Sequence, residues 1–210
     1  MQRKWRRYRG NLWGLALDHV CAIGPVMRAR QRVVPRARGV VLEPGVGTGL
    51  NLPLYDAGEV RHVIGIDPAA PFLDLARERA EQAPVSVELV EGSAEALPLE
   101  DDSVDTVLLT YTGCSIPDLD AALAEFRRVL KPGGQLLFCE HGRAAEPRVA
   151  RFQDMVNPLW RPLAGGCNLN RDFPAHLRKA GFEVAELDTF YLLPRPKSVT
   201  WHFLGSATPR

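Results

Sequence analysis

Three glycines in five residues, Gly45-Val46-Gly47-Thr48-Gly49, are the stretch of this sequence best suited to chemistry. They follow the apolar run Val40-Val41-Leu42 and lead into a segment read as a helix through Asn51, Leu54 and Tyr55. A strand, a glycine-rich turn and a helix start together bring bare backbone and unpaired N–H groups against a nucleotide-like ligand. Glu43 stands just before the turn, and Asp67 follows Gly45 by 22 residues. A carboxylate at that spacing can accept hydrogen bonds from both hydroxyls of a ribose. The same residues also serve a tight structural turn and a helix cap, so the loop alone says only that something approaches its backbone.

A second set of residues could handle protons or position a reacting group. His141, in Cys139-Glu140-His141-Gly142, has the residue type for a general base, with an ordinary pKa of about 6.5. Its other reading is a histidine hydrogen-bonded within a loop, and Glu140 either orients it or ends a strand. Thr110, Tyr111 and Thr112 close an apolar run, at the end of a strand where ligands of open α/β sheets collect. Tyr111 reads equally as a ligand-facing phenol and as core. The cysteines Cys21, Cys114, Cys139 and Cys167 are scattered, with no Cys-x-x-Cys pair. Their spacing suggests neither a metal site nor a disulfide framework, and Cys114 reads as a buried thiol.

The elements that must hold these residues follow from periodicity. A helical piece at 26–34 comes before the first strand. His62-Val63-Ile64-Gly65-Ile66-Asp67 is a second strand closed by Pro68, and the helix after it buries Phe72, Leu75, Ala76 and Ala80. Strands at 85–90 and 104–110 come next, then a helix marked by Leu119, Leu123, Phe126 and Leu130. Pro132-Gly133-Gly134 stops that helix, and Leu136-Leu137-Phe138-Cys139 is the fifth strand. The rhythm then loosens: a helix at 149–156, an irregular segment at 158–170, and a helix at 172–180 ended by Gly181. Strands at 184–193 and 199–205 are too closely linked to be parallel. The expectation is an α/β fold with a doubly wound, Rossmann-like seven-stranded sheet, mostly parallel with a C-terminal antiparallel strand pair.

At 210 residues, 46% apolar and 24% charged, the chain has the composition of a soluble globular protein. A membrane-spanning helix, which needs ~20 largely apolar residues, is not expected, and a cytoplasmic setting is. The net charge of +1 conceals a division: residues 1–39 carry ten Lys/Arg against one acid, a net +9, which leaves −8 on the rest. The expected organisation is a basic helical arm or lid at 1–38 and a single domain at 39–210. Arg3-Lys4-Trp5-Arg6-Arg7-Tyr8-Arg9 and the following Leu12, Trp13, Leu15, Leu17 and Val20 fit three roles. These are a helix lying on anionic lipid, a lid over the site, or a solvated cap. Asp18 and His19 interrupt the apolar part and make a secretory leader a poor fit. Nucleic acid is not an expected partner.

Four stretches resemble the class I S-adenosylmethionine-dependent methyltransferases. They are Glu43-Pro44-Gly45-Val46-Gly47-Thr48-Gly49, Ile64-Gly65-Ile66-Asp67, Glu91-Gly92-Ser93-Ala94-Glu95, and Phe126-Arg127-Arg128-Val129-Leu130-Lys131-Pro132-Gly133-Gly134. Leu50 also occupies the place of the third glycine in a nicotinamide fingerprint, which disfavours a nicotinamide-linked oxidoreductase. The resemblance implies S-adenosyl-L-methionine as cofactor, with Gly45, Gly47 and Gly49 against its methionine part and ribose. It implies Glu43 toward the ammonium, Asp67 and Pro68 at the ribose, Ser93 and Ala94 at the adenine edge, and Thr110 beside the sulfonium. Ser93 departs from the aspartate common there, and Glu95 reads as a helix-start carboxylate. His141 and Tyr111 are the catalytic candidates.

The C-terminal half narrows the resemblance. Trp160-Arg161-Pro162-Leu163-Ala164-Gly165-Gly166-Cys167-Asn168-Leu169-Asn170-Arg171, then Leu177-Arg178-Lys179-Ala180-Gly181-Phe182, resembles thiol methyltransferases of the methyltransferase-like group and bacterial relatives. The expected acceptor is therefore a small lipophilic molecule, a thiol first. A phosphatidylethanolamine-type headgroup is the alternative, since the front half also fits bacterial enzymes of that kind and quinone C-methyltransferases. A non-catalytic module that keeps the fold is the remaining contrast.

Overall fold

The computed structural model describes residues 18–210. The arm's basic run and its apolar face up to Leu17 lie outside the described residues. The core is one seven-stranded sheet: β1 (Gly39–Pro44), β2 (Val60–Asp67), β3 (Ser86–Glu91), β4 (Val104–Thr110), β5 (Leu130–His141), β6 (Phe182–Tyr191) and β7 (Trp201–Pro209). The strand order is β3-β2-β1-β4-β5-β7-β6. The first five strands run parallel, and β7 lies antiparallel between β5 and β6. This is the expected doubly wound arrangement with its antiparallel terminal pair.

Consecutive residues of the central strands are buried on opposite faces, which is why these strands read as unbroken apolar runs. Leu42, Val107, Leu109, Leu136 and Phe138 enter one core with Phe126 and Phe173. Val41, Leu108, Leu137 and Cys139 enter the other. Helix α1 (Gly24–Val33) supplies Ala29 and Val33 to this second core, so the later part of the basic segment is built into the fold. Helix α2 (Ala70–Ala80) follows β2. Helix α3 (Leu119–Val129) buries Leu119, Leu123 and Phe126, and Asp118 caps it by accepting from the Ala121 N–H at 3.0 Å.

Three expectations need correction. The segment after the glycine turn is a single 3-10 turn, Leu52–Leu54, and not a longer helix. The Lys131–Gly134 turn lies within β5 as an irregularity between the pairs Val104–Leu130 and Thr106–Gln135. The segment expected to be irregular from residue 158 is mostly helix: α4 runs Pro147–Leu163 with Pro158 and Pro162 inside it. Both prolines are exposed, so the carbonyls they leave without donors lie on a side open to water. Helix α5 (Phe173–Lys179) is capped by Asp172 and is followed by Gly181 at φ +82°. Among the described residues no helix is long and apolar enough to cross a membrane.

Candidate active site

The carboxyl ends of β1, β2, β4 and β5 converge on the glycine turn. Gly45 has φ +65°, and a Cβ there would overlap the Thr112 side chain, so the β1 and β4 ends can meet only with glycine at this position. Gly47 differs: at φ +55° its missing Cβ would find nothing nearer than 3.9 Å, which leaves bare backbone facing open space. Asp67 ties this backbone to β2. Its Oδ2 accepts from the Gly47 N–H at 2.9 Å and its Oδ1 from the Ala69 N–H at 2.8 Å. Burial raises the Asp67 carboxyl above the usual carboxylate range, while those two N–H groups oppose the rise. Pro68 follows directly. The Gly92 N–H donates to the Asp67 carbonyl at 3.2 Å, which brings Ser93 and Ala94 to the same edge.

Glu43 is buried, and its two oxygens accept from Asn51 Nδ2 at 2.8 Å and the Tyr55 hydroxyl at 2.6 Å. Asn51 Nδ2 also donates to Thr110 Oγ1 at 2.9 Å. Two residues of the short 51–55 segment are thus partners of one buried carboxylate on β1. Burial pushes the Glu43 carboxyl up to about 7.

Arg30, a residue with no place in the sequence-derived site, completes this network. It is buried on α1, with Nη1 donating to Asn51 Oδ1 at 2.8 Å and Thr110 Oγ1 at 2.6 Å. Its guanidinium lies 4.9 Å from the Tyr111 ring centroid, and among the described residues its Nε has no hydrogen-bond partner. The signal was present in the sequence: Arg30 sits four residues after Val26 and three before Val33, on the apolar stripe of α1. We expect Arg30→Met to lower stability by about 2–3 kcal/mol, the worth of charge-assisted hydrogen bonds lost from a buried site. Arg32→Met, which breaks a pair with half-exposed Asp188, should cost at most about 0.5 kcal/mol. Denaturant unfolding of the two variants checks the contrast.

The catalytic candidates are placed as follows. Tyr111 has φ +55°, its ring packs edge-on to His202 at 5.5 Å, and its hydroxyl meets the Cys139 thiol at 3.6 Å. Burial pushes its phenol far above the ordinary tyrosine range. His141 Nε2 lies 3.0 Å from Cys167 Sγ. Glu140 is buried and accepts from the backbone N–H groups of Thr112 (2.8 Å), Gly113 (2.9 Å) and Cys114 (3.3 Å). It therefore clamps the loop after β4, a role neither sequence reading offered. Cys114 is buried, as expected. Ser93 Oγ donates to the Glu95 carboxylate. No helix starts at Glu95, which instead accepts from the Asp118 N–H at the cap of α3.

The start of the described chain also reaches the glycine turn. Thr48 Oγ1 donates to the Asp18 carboxylate, and Arg79 Nη1 donates to the Thr48 carbonyl at 2.6 Å. Residues 42–138 match the family model of a methyltransferase domain. The chain is 32% identical over 178 residues to the thiol S-methyltransferase TMT1B of Rattus norvegicus, covering 80% of this chain and 69% of the rat protein. The chain belongs to the class I S-adenosylmethionine-dependent methyltransferases. A demethylmenaquinone methyltransferase of Thermus thermophilus is 35% identical over 129 residues, 59% of each chain. An S-adenosylmethionine-dependent methyltransferase of Thermotoga maritima shares the fold at TM-score 0.62 and 24% identity, covering all of this chain and 96% of that one.

S-adenosylmethionine is accordingly the cofactor, and the residues present fit it. The open backbone at Gly47 suits a group that must lie against the chain, Asp67 suits a diol, and the buried carboxyl of Glu43 suits an ammonium.

Proposed function

We propose that this methyltransferase acts on a small lipophilic thiol. The observation that carries the reading is that both catalytic candidates already engage cysteine thiols, Tyr111 that of Cys139 and His141 that of Cys167. The Tyr111 phenol is held protonated by burial, and His141 Nε2 is engaged with Cys167. An acceptor that must lose a proton of high pKa would be poorly served here. A thiol, with a pKa of about 8.5 when cysteine-like, gives up its proton far more readily than an alcohol or an amine headgroup and needs mainly alignment. The relationship to the rat thiol S-methyltransferase supports the same choice.

S-adenosylmethionine supplies a methyl group made electrophilic by its sulfonium. The protein's own work is positional. The Gly47 backbone and the Asp67 carboxylate fix the ribose side, and Glu43 holds the amino group. Glu140, through the 112–114 loop, sets the wall on the acceptor side. In-line alignment of this kind can supply ~7–11 kcal/mol in favourable cases. The test is a panel of alkyl thiols, phosphatidylethanolamine and quinols assayed by S-adenosylhomocysteine release. Turnover led by the thiols supports the proposal. Turnover confined to the lipid or the quinols rejects it, and none with any acceptor favours a module that keeps the fold without the activity.

A peripheral contact with anionic membrane accompanies this reading. Phe152, Met155, Leu159 and Leu163 on α4 are 48%, 67%, 75% and 64% exposed. Their spacing places them along one side of the helix, with Arg148 and Arg151 exposed at its start. An anionic bilayer would accept the apolar row, while these arginines and the +9 segment at 1–39 meet its headgroups. Leu159→Asp and deletion of residues 1–10 should each reduce sedimentation with phosphatidylserine vesicles, as should added salt for the wild type. Equal sedimentation of all forms would remove the membrane from the proposal.

A further inference from the structure

Three donor atoms from distant parts of the chain meet beside the acceptor wall. Cys114 Sγ, a ring nitrogen of His141 and Cys167 Sγ all lie within 4.8 Å of one another. We propose that they form a binding site for a thiophilic divalent cation, zinc being the natural candidate, with the fourth position open to a water or a small thiol.

The geometry suits the ion. Tetrahedral zinc holds sulfur at about 2.3 Å and imidazole nitrogen at about 2.0–2.1 Å, which places its ligand atoms roughly 3.3–3.8 Å apart. The observed N···S separation of 3.0 Å between His141 and Cys167, and the 4.8 Å limit for the set, bracket those values. Small side-chain rotations are enough to admit the ion. Among the described residues the group of potential ligands stops at these three, the number typical of zinc sites that keep a position for an exchangeable ligand.

The donors are also fixed by their surroundings, as ligands of a metal site need to be. Glu140, the residue before His141, holds the Cys114 N–H. The Asn168 backbone N–H and side-chain Nδ2 both donate to the Cys114 carbonyl at 2.9 Å, which ties the residue after Cys167 to Cys114 itself. Arg171 Nη1 donates to the carbonyls of Gly113 and Ile116, at 2.5 and 2.8 Å. Trp160 Nε1–H donates to Cys167 Sγ at 3.4 Å, a contact that also suits a metal-bound thiolate. A thiol gives up its proton to bind such an ion, so binding releases protons and strengthens as pH rises. Ligation through Nε2 would also take His141 out of proton transfer.

The experiment titrates the full chain, reduced and freed of metal, with Co2+ and then Zn2+. One equivalent of Co2+ should produce thiolate charge-transfer absorption and the visible bands of a tetrahedral centre, and Zn2+ should bleach both. In the wild type, one equivalent of Zn2+ should protect two thiols from a thiol reagent, a readout that needs no variant to fold. Cys114→Ser and Cys167→Ser should lose the charge-transfer bands, whereas Cys21→Ser should keep them. Absent bands, thiols that stay fully reactive with Zn2+ present, or bands unchanged in Cys114→Ser would overturn the assignment. So would a Cys114–Cys167 disulfide in a protein that takes up no metal under reduction. Since none of these readouts involves methyl transfer, the site stands or falls separately from the choice of acceptor.

Discussion

Replacing Asp67 by alanine is expected to weaken S-adenosylhomocysteine binding by roughly 100-fold, equivalent to about 3 kcal/mol. Two effects combine. A buried carboxylate able to accept from both ribose hydroxyls is removed, and each charge-assisted hydrogen bond is worth about 1.5–3 kcal/mol. The Gly47 N–H also loses its acceptor, so the backbone of the cradle is no longer held at its 2.9 Å contact with β2. Asp67→Asn keeps the shape and one good acceptor, and should fall between wild type and alanine. Calorimetry on folded protein separates the three. Identical affinities would show that the ribose lies elsewhere.

Glu43→Gln should change stability in a pH-dependent way. The Glu43 carboxyl is raised by burial from 4.5 to about 7. A group that holds its proton more tightly when folded adds stability that is complete below its unfolded pKa and is lost as pH rises through its folded one. Glutamine has no such proton to lose. The variant should therefore gain on the wild type between pH 4.5 and about 7 and keep a lead of about 3 kcal/mol above that. Binding should move the opposite way. The ligand ammonium favours ionised Glu43, so wild-type affinity for S-adenosylhomocysteine should rise as pH passes through about 7. The glutamine variant should bind weakly and without that rise. Unfolding curves at pH 5 and pH 8, with calorimetry at the same values, check both halves. A glutamine variant less stable than wild type at pH 8 would mean that Glu43 is ionised at little cost in the folded protein.

How much of this could be read from the sequence depended on whether the signal was local. The strands β1, β2 and β4 were legible because burial on both faces leaves unbroken apolar runs, and the antiparallel pair because its linker is too short for a crossover. The glycine turn and Asp67 were legible because they close two consecutive apolar strands, β1 and β2, that lie side by side in the sheet. Residues 51–55 supply partners to a carboxylate on a different element, a contact that no local spacing announces. Helix α4 was cut short in the sequence reading at Pro158, since a proline usually ends a helix and nothing local says that its side is exposed. Arg30 left a pattern, an arginine on an apolar stripe, that reads first as a snorkelling surface residue. The Cys114–His141–Cys167 group left none, because its members come from two separate loops and the end of β5 and share no spacing. Glu140 shows the same limit: its proximity to His141 in sequence suggested a pair, while the alternation along β5 turns it to the Thr112–Cys114 loop.

The central claim is methyl transfer to a thiol by positioning rather than by a strong base. Its most direct test is mass spectrometry of the product formed from methyl-labelled S-adenosylmethionine and an alkyl thiol, followed against pH. Methyl thioether should form, and its rate should climb as pH rises toward the thiol's own pKa in both wild type and Tyr111→Phe. Labelled methyl recovered only on a quinol carbon or a lipid amine, with the thiol unchanged at every pH, would contradict it.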